Sequence, residues 1–378
     1  SADHADAALD FTGLADARYF VLTQVEVDGR SQLEANATFD GARKGAAAWL
    51  AAPGPMGALD FISPEAYVAG AAVIAEPETI VAQFLGLADR VHGDSDHGGA
   101  DHEDGDVTDA DKALATATLT QLAKGLGGEI AFAIDGPLLP TPAWKMIVEV
   151  NDAAAVQGAV QAAVDGINAR MAAEPMAAGH HLTLASETTG GRTVWSLTVE
   201  GGDAPAAGDH PTVIHWLYAD GYLVAAADTP LLLQALKTRD SGVNLIDAPA
   251  FRASLPAGVE TDFSALIWQD IGRLTKAVSG GASSDATLGD AAGGQGAADA
   301  VSALSDMAGK LAPSLIYAWA EPDRLRFAAS SDMSPFSLGL LLQLLGGTSS
   351  GGGPAVPGLP LPSLPSVPSL PAGPGGSA

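Results

Sequence analysis

The chain has 378 residues, 47% of them hydrophobic, enough to bury a sizeable core and to make global disorder a poor description. It carries 45 acidic residues against 18 basic ones, a formal net charge of -27, which repels nucleic-acid phosphates and anionic lipid head groups and excludes nucleic-acid binding. There are no cysteines, so thiol nucleophiles, thiolate metal sites and disulfides are all excluded.

The sequence starts at Ser1-Ala2 and continues through the polar stretch Asp3 to Asp6, which reads as a mature N-terminus after removal of a signal peptide. Leu338 to Leu345 comes nearest to a membrane-spanning run and falls far short of the ~20 residues that span a bilayer. These features predict an exported protein without a transmembrane segment, residing in the periplasm, at the cell surface or outside the cell.

The first predicted element is a hairpin. Tyr19 to Val27 and Ser31 to Phe39 flank Asp28-Gly29, a pair suited to the positive φ of a type I′ turn. Tyr67 to Ala75 then reads as a strand, and Glu76-Pro77-Glu78 opens a helix running to about Arg90. Trp144 to Val150 is a strand, Asn151 and Asp152 are capping residues, and Ala153 to about Met171 is a helix. Leu182 to Ser186 and Thr193 to Val199 form a hairpin around Gly190-Gly191. Val213 to Tyr218 and Tyr222 to Ala227 form another around Asp220-Gly221. Asp228-Thr229-Pro230 caps a helix over Leu231 to Thr238. Asp262 to Trp268 is a strand followed by a helix over Ile271 to Val278, and Leu315 to Ala320 pairs with Leu325 to Ser330.

A strand, a capped break and an Ala/Leu-rich helix thus recur, with hairpins between them. The fold class is α+β, with repeated strand-helix and hairpin units forming antiparallel or mixed sheets and helices on one face. We expect a first module over 1–177, a second over 178–345 and a Pro/Gly/Ser-rich tail over 346–378. An acidic His/Asp loop at 91–112 interrupts the first module, and a Gly/Ala/Ser loop at 279–298 interrupts the second.

The run Gly54-Pro55-Met56-Gly57-Ala58-Leu59-Asp60-Phe61-Ile62-Ser63-Pro64-Glu65-Ala66 resembles an uncharacterised family of bacterial exported proteins, a domain of unknown function. So does Tyr222-Leu223-Val224 with its capped Leu-rich helix and Ser241-Gly242. The resemblance extends to about Asp332 and implies export and repeated β/α units. It brings no activity, ligand or functional residue.

No phosphate loop, Gly-x-Ser-x-Gly elbow or His-Glu-x-x-His pair is present. The dense cluster of possible ligands is His92, Asp94, Asp96, His97, Asp101, His102, Asp104 and Asp106. Imidazole suits zinc and carboxylates suit calcium, yet the Asp94-x-Asp96 start lacks the later Glu of a calcium loop, since position 105 is Gly105. The expectation is a solvated insertion that holds calcium or zinc weakly. His215 and the six tryptophans read as packed or sheet-face residues.

In the tail, Pro362, Pro365, Pro368 and Pro371 recur with the period of a polyproline II helix. Leu361, Leu364, Val367 and Leu370 share that period and form an apolar stripe suited to docking on a partner. The leading expectation is therefore a non-enzymatic exported protein that binds a protein partner or its own copies, with the tail as docking arm. A periplasmic carrier of a lipid or other apolar ligand is the alternative, and a hydrolase without a recognisable motif is the third.

Overall fold

Runs such as Ala131 to Ile134, Ala265 to Trp268 and Leu315 to Ala320 lack the polar alternation of a half-wetted strand, which is the pattern of strands apolar on both faces. In the computed structural model these runs lie inside one twelve-stranded sheet in which every neighbouring pair is antiparallel. The structure describes residues 11–27, 30–93, 109–138, 142–173, 180–200, 213–255, 262–282 and 312–329. The chain divides into Ser1–Asp332, which holds all of these, and Met333–Ala378.

The strands are β1 (Ala17–Val27), β2 (Arg30–Phe39), β3 (Val68–Val73), β4 (Leu126–Ile134), β5 (Trp144–Val150) and β6 (His181–Thr189). They continue as β7 (Arg192–Glu200), β8 (Val213–Ala219), β9 (Tyr222–Ala226), β10 (Ala265–Gln269), β11 (Ser314–Glu321) and β12 (Arg324–Ala329). Their order across the sheet is β1-β2-β12-β11-β10-β3-β4-β5-β9-β8-β7-β6. Strands from before and after residue 177 therefore alternate in one sheet, with β2 beside β12 and β3 beside β10. The helices are α1 (Pro77–Gly93), α2 (Asp109–Gly125), α3 (Ala153–Ala173), α4 (Thr229–Ser241), α5 (Pro249–Ser254) and α6 (Ile271–Ala282).

Local chemistry accounts for several boundaries. Asp220 (φ 50) and Gly221 (φ 84) make the tight turn between β8 and β9, and Gly190 (φ 61) and Gly191 (φ 77) do the same between β6 and β7. Asp228 Oδ1 accepts from the Leu231 amide at 2.7 Å to cap α4, and Gly242 ends that helix in the left-handed region. Asp152 and Asp270 cap α3 and α6 in the same way.

Two expectations need correction at their ends. The acidic stretch expected as a loop over 91–112 is helical at both described margins, because α1 runs to Gly93 and α2 begins at Asp109. The loop expected over 279–298 begins later, since α6 extends to Ala282.

Register assigns the two faces. One row runs Tyr317, Leu266, Ala71, Ala131, Ile147, Val224 and Leu217 across successive strands, all buried. The short 3-10 helix Gly57–Phe61, α4 and α5 cover this first face through Leu59, Phe61, Leu231, Leu232 and Phe251. On the second face α3 lies over β8, where Gln157 Oε1 accepts from Trp216 Nε1 and Tyr218 Oη, each at 3.1 Å. α2 packs on α3, and α1 on α2. Helices thus occupy both faces, rather than the single face expected, because both faces of the central strands are apolar.

Candidate functional site

Two groups of polar side chains lie inside the first face. Lys145 of β5 is fully buried in the row Trp268, Ala69, Ala133, Lys145, Ala226. Its Nζ lies 2.6 Å from Asp135 Oδ2 and donates to the Phe61 carbonyl at 3.2 Å. Ser63 donates its amide to Asp135 Oδ2 at 2.8 Å and its hydroxyl to Asp135 Oδ1. Burial pushes the Lys145 ammonium below its ordinary pKa, with Asp135 opposing that shift.

Ser, Lys and Asp are the residue types of hydrolytic machinery, but their roles here differ. The lysine pairs with the aspartate rather than with the serine, and the serine hydroxyl is committed to a carboxylate. The cluster clamps the segment after the Gly57–Phe61 helix onto the β4–β5 hairpin.

A second polar group lies towards the far end of the same face. Glu129 Oε2 accepts from Tyr222 Oη at 2.8 Å and from the Ala58 amide at 3.0 Å. Glu149 Oε2 accepts from the amides of Gly128 (2.8 Å) and Glu129 (3.2 Å), filling the irregularity where β4 slips register against β5. Burial, then the bond to Glu129 and the two carboxylate charges, push the Tyr222 phenol well above its ordinary pKa. Arg239 lies over the rings of Phe61 and Tyr222, 4.7 and 5.5 Å from their centroids. Burial raises Asp60, with Arg239 opposing and Asp247 adding, and its carboxylate accepts from Asn244 at 2.9 Å. Each carboxylate here holds backbone or a neighbouring side chain, which is a structural use.

Between β12 and β5 the second face has no hydrogen-bonded network of charged side chains among the described residues. In β12, β11, β10, β3, β4 and β5 its positions are Leu325, Phe327, Ala329; Ser314, Ile316, Ala318, Ala320; Ala265, Ile267, Gln269; Val68, Gly70, Ala72; Ile130, Phe132, Ile134; and Trp144, Met146, Val148. None is charged. Phe132 is 44% exposed, Ile267 and Phe327 38%, and Met146 37%. Ile267, Gly70, Phe132 and Met146 are directly paired neighbours, so these apolar groups form one patch rather than scattered singles. No family model, curated protein or solved structure matches this chain. The site is therefore read from its own geometry.

Of the residues singled out in the sequence, His92 lies in α1, and Asp94, Asp96, His97, Asp101, His102, Asp104 and Asp106 lie outside the described residues. Leu361, Leu364, Val367 and Leu370 also lie outside them. Among the described residues no group of three or more His, Asp or Glu side chains is placed to hold a metal ion. No helix among them is long and apolar enough to cross a membrane. His215 is half-buried in β8, its Nδ1 3.5 Å from Thr229 Oγ1, and the tryptophans are buried or half-buried. The apolar second face is not among the sites expected from the sequence. Its signal was the unbroken apolar run in β4, β10 and β11, more than a one-sided sheet needs.

Proposed function

We propose that the protein is a non-enzymatic binding protein of an exported compartment, periplasmic, cell-surface or extracellular, whose working surface is the second face of the sheet. The observation that carries this reading is the uncharged patch of Phe132, Met146, Ile267 and Phe327, left partly open while the first face of the central strands is covered by the Gly57–Phe61 helix, α4 and α5. An acidic molecule spends solubility on such a patch only weakly, because its charges keep copies apart.

The reading favours the carrier of an apolar ligand over catalysis, since the polar clusters of the first face are used up in holding backbone. The resemblance to exported proteins of unknown function is compatible with it. Two runs, β3-β4-β5 and β10-β11-β12, each have a helical connection after the first strand and take a hairpin alongside, β8–β9 and β1–β2 respectively. We read them as copies of one unit that together enlarge the face. The striped tail and the acidic His/Asp segment are accessory in this reading, the first a docking arm for a protein partner or a second copy, the second a weak calcium or zinc binder.

The test is binding of an environment-sensitive apolar dye to the full-length protein and to Phe132→Ser/Met146→Ser. Strong dye fluorescence with the parent and its loss in the variant, at unchanged thermal stability, is the expected outcome. Dye binding that survives in the variant would place the sticky surface elsewhere.

A further inference from the structure

The sheet ends in β6 on one side and β1 on the other, and the two margins differ. At β6 the edge is blocked by α3, where Asn168 accepts from the Leu182 amide at 2.7 Å and donates to the Leu182 carbonyl at 2.8 Å. These are the bonds that a further strand would otherwise make. The last four residues of β6, Ser186 to Thr189, are all polar, which also discourages pairing with another chain.

β1 is built the other way. Among the described residues β2 is its only strand partner. Tyr19 to Val25 is an uninterrupted run without charge, Pro or Gly, dominated by aromatic and β-branched residues. Tyr19, Phe20, Val21 and Leu22 are 52–70% exposed, so both faces of the strand are open. An edge of this composition is a template for another strand.

The charges of β1 say which strand fits. Arg18 precedes the run and Glu26 follows it, each four residues from Leu22. A twofold axis through Leu22 pairs β1 antiparallel with β1 of a second copy over Tyr19 to Val25. It sets Leu22 against Leu22, Phe20 against Gln24, and Arg18 of each copy beside Glu26 of the other. No other antiparallel register of this strand on itself brings opposite charges together. The register against β2 shifts at Arg18, so the bulge falls at the end of the run and leaves Tyr19 to Val25 regular. Arg18 also lies 3.4 Å from Asp40, but both side chains are more than half exposed and remain accessible. The net charge of -27 opposes association in general, yet residues 16–44 hold five acidic and four basic side chains, so this margin is close to neutral.

We propose that β1 is the interface of a homodimer, in which two copies join edge to edge and their sheets run on as one across a twofold axis at Leu22. The interface uses none of the residues of the open patch and stands independently of the binding function proposed above.

The experiment is sedimentation velocity of the full chain over a range of concentrations. A monomer–dimer equilibrium is expected, with a midpoint on the order of 10 µM, as for a small transient interface. Leu22→Lys sets two ammonium groups against each other on the axis and should weaken the dimer roughly tenfold or more at unchanged melting temperature. Arg18→Glu and Glu26→Arg should each weaken it, and the double variant should restore most of the loss. Leu22→Cys gives the chain its sole thiol and should form a disulfide-linked dimer under mild oxidation. Phe20→Cys should not, because on the same face it stands about 14 Å from its counterpart. Changing Leu361, Leu364, Val367 and Leu370 together to Ser should leave this dimer in place. A chain that stays monomeric, a dimer that survives Leu22→Lys, or equal cross-linking from Phe20→Cys overturns the proposal. A monomer whose introduced thiol at position 22 resists a thiol reagent means that another segment of the same chain covers β1, and overturns it equally.

Discussion

Replacing Lys145 by Met probes the most deeply buried charge in the fold. The substitution keeps an unbranched apolar stem, one heavy atom shorter, but removes the ammonium, leaving the Asp135 carboxylate in the core with only Ser63 to hold it. Breaking one partner of a buried pair typically costs about 3–5 kcal/mol, whereas removing both is often close to neutral. Lys145→Met should therefore lose about 3–5 kcal/mol in urea unfolding followed by tryptophan fluorescence, with an unchanged m-value. Lys145→Met/Asp135→Asn removes the stranded charge while leaving an amide oxygen to accept from Ser63. It should recover at least about 2 kcal/mol of that loss, a coupling expected of residues in direct contact. A cost under about 1 kcal/mol for the single variant, or no recovery in the double, would refute the clamp.

Other perturbations test separate parts of the molecule. A Cβ on Gly57 would stand 2.5 Å from Tyr222 Oη, so Gly57→Ala should cost about 1–3 kcal/mol and Tyr222→Phe should relieve part of it; strictly additive losses in a double-mutant cycle would contradict this. Burial and the Glu34 charge push the Tyr317 phenol up to about 12, so an alkaline absorbance titration should show a late phase that disappears in Tyr317→Phe. Because the folded pKa is raised, the associated stability is present below pH ~10 and is lost as pH rises through about 12, and the parent should lose stability faster than Tyr317→Phe across that window. Changing Leu361, Leu364, Val367 and Leu370 together to Ser should shrink assemblies in sedimentation without altering the melting temperature; unchanged assemblies would make the tail a spacer.

Much of the local structure was legible because its causes are local. Asp220-Gly221 and Asp228-Thr229-Pro230 announce a turn and a cap by residue type alone, and both stand where expected. β4 was not legible, since Gly127-Gly128 reads as loop while Glu149 stabilises the amides of Gly128 and Glu129 from the next strand. Lys145 lies between Trp144 and Met146, a pattern that suggests a lysine in water and an apolar face inward. The structure reverses this: Lys145 faces the covered side and Met146 the open one. Only the pairing of distant elements, through Asp135 and the Phe61 carbonyl, makes that reversal stable. Strand order was equally out of reach, because no local residue says that β2 belongs beside β12.

That last pairing bears on how the molecule is made. β2 and β12 come from opposite ends of the described chain, with Asn36 opposite Arg326 and Ala35 opposite Phe327. As the polypeptide emerges from the ribosome, the β1–β2 hairpin has no partner until almost everything else has been synthesised. It waits with Tyr19, Phe20, Val21 and Leu22 in a strand that stays at the sheet margin even in the finished fold, where Phe20 is 70% exposed. Pairings this far apart fold slowly, and unpaired apolar strands are the sites at which nascent chains stick to one another. A mutually repelling acidic chain is slower to make that mistake. The same topology therefore favours a life cycle in which the chain is kept unfolded until its last strand is available.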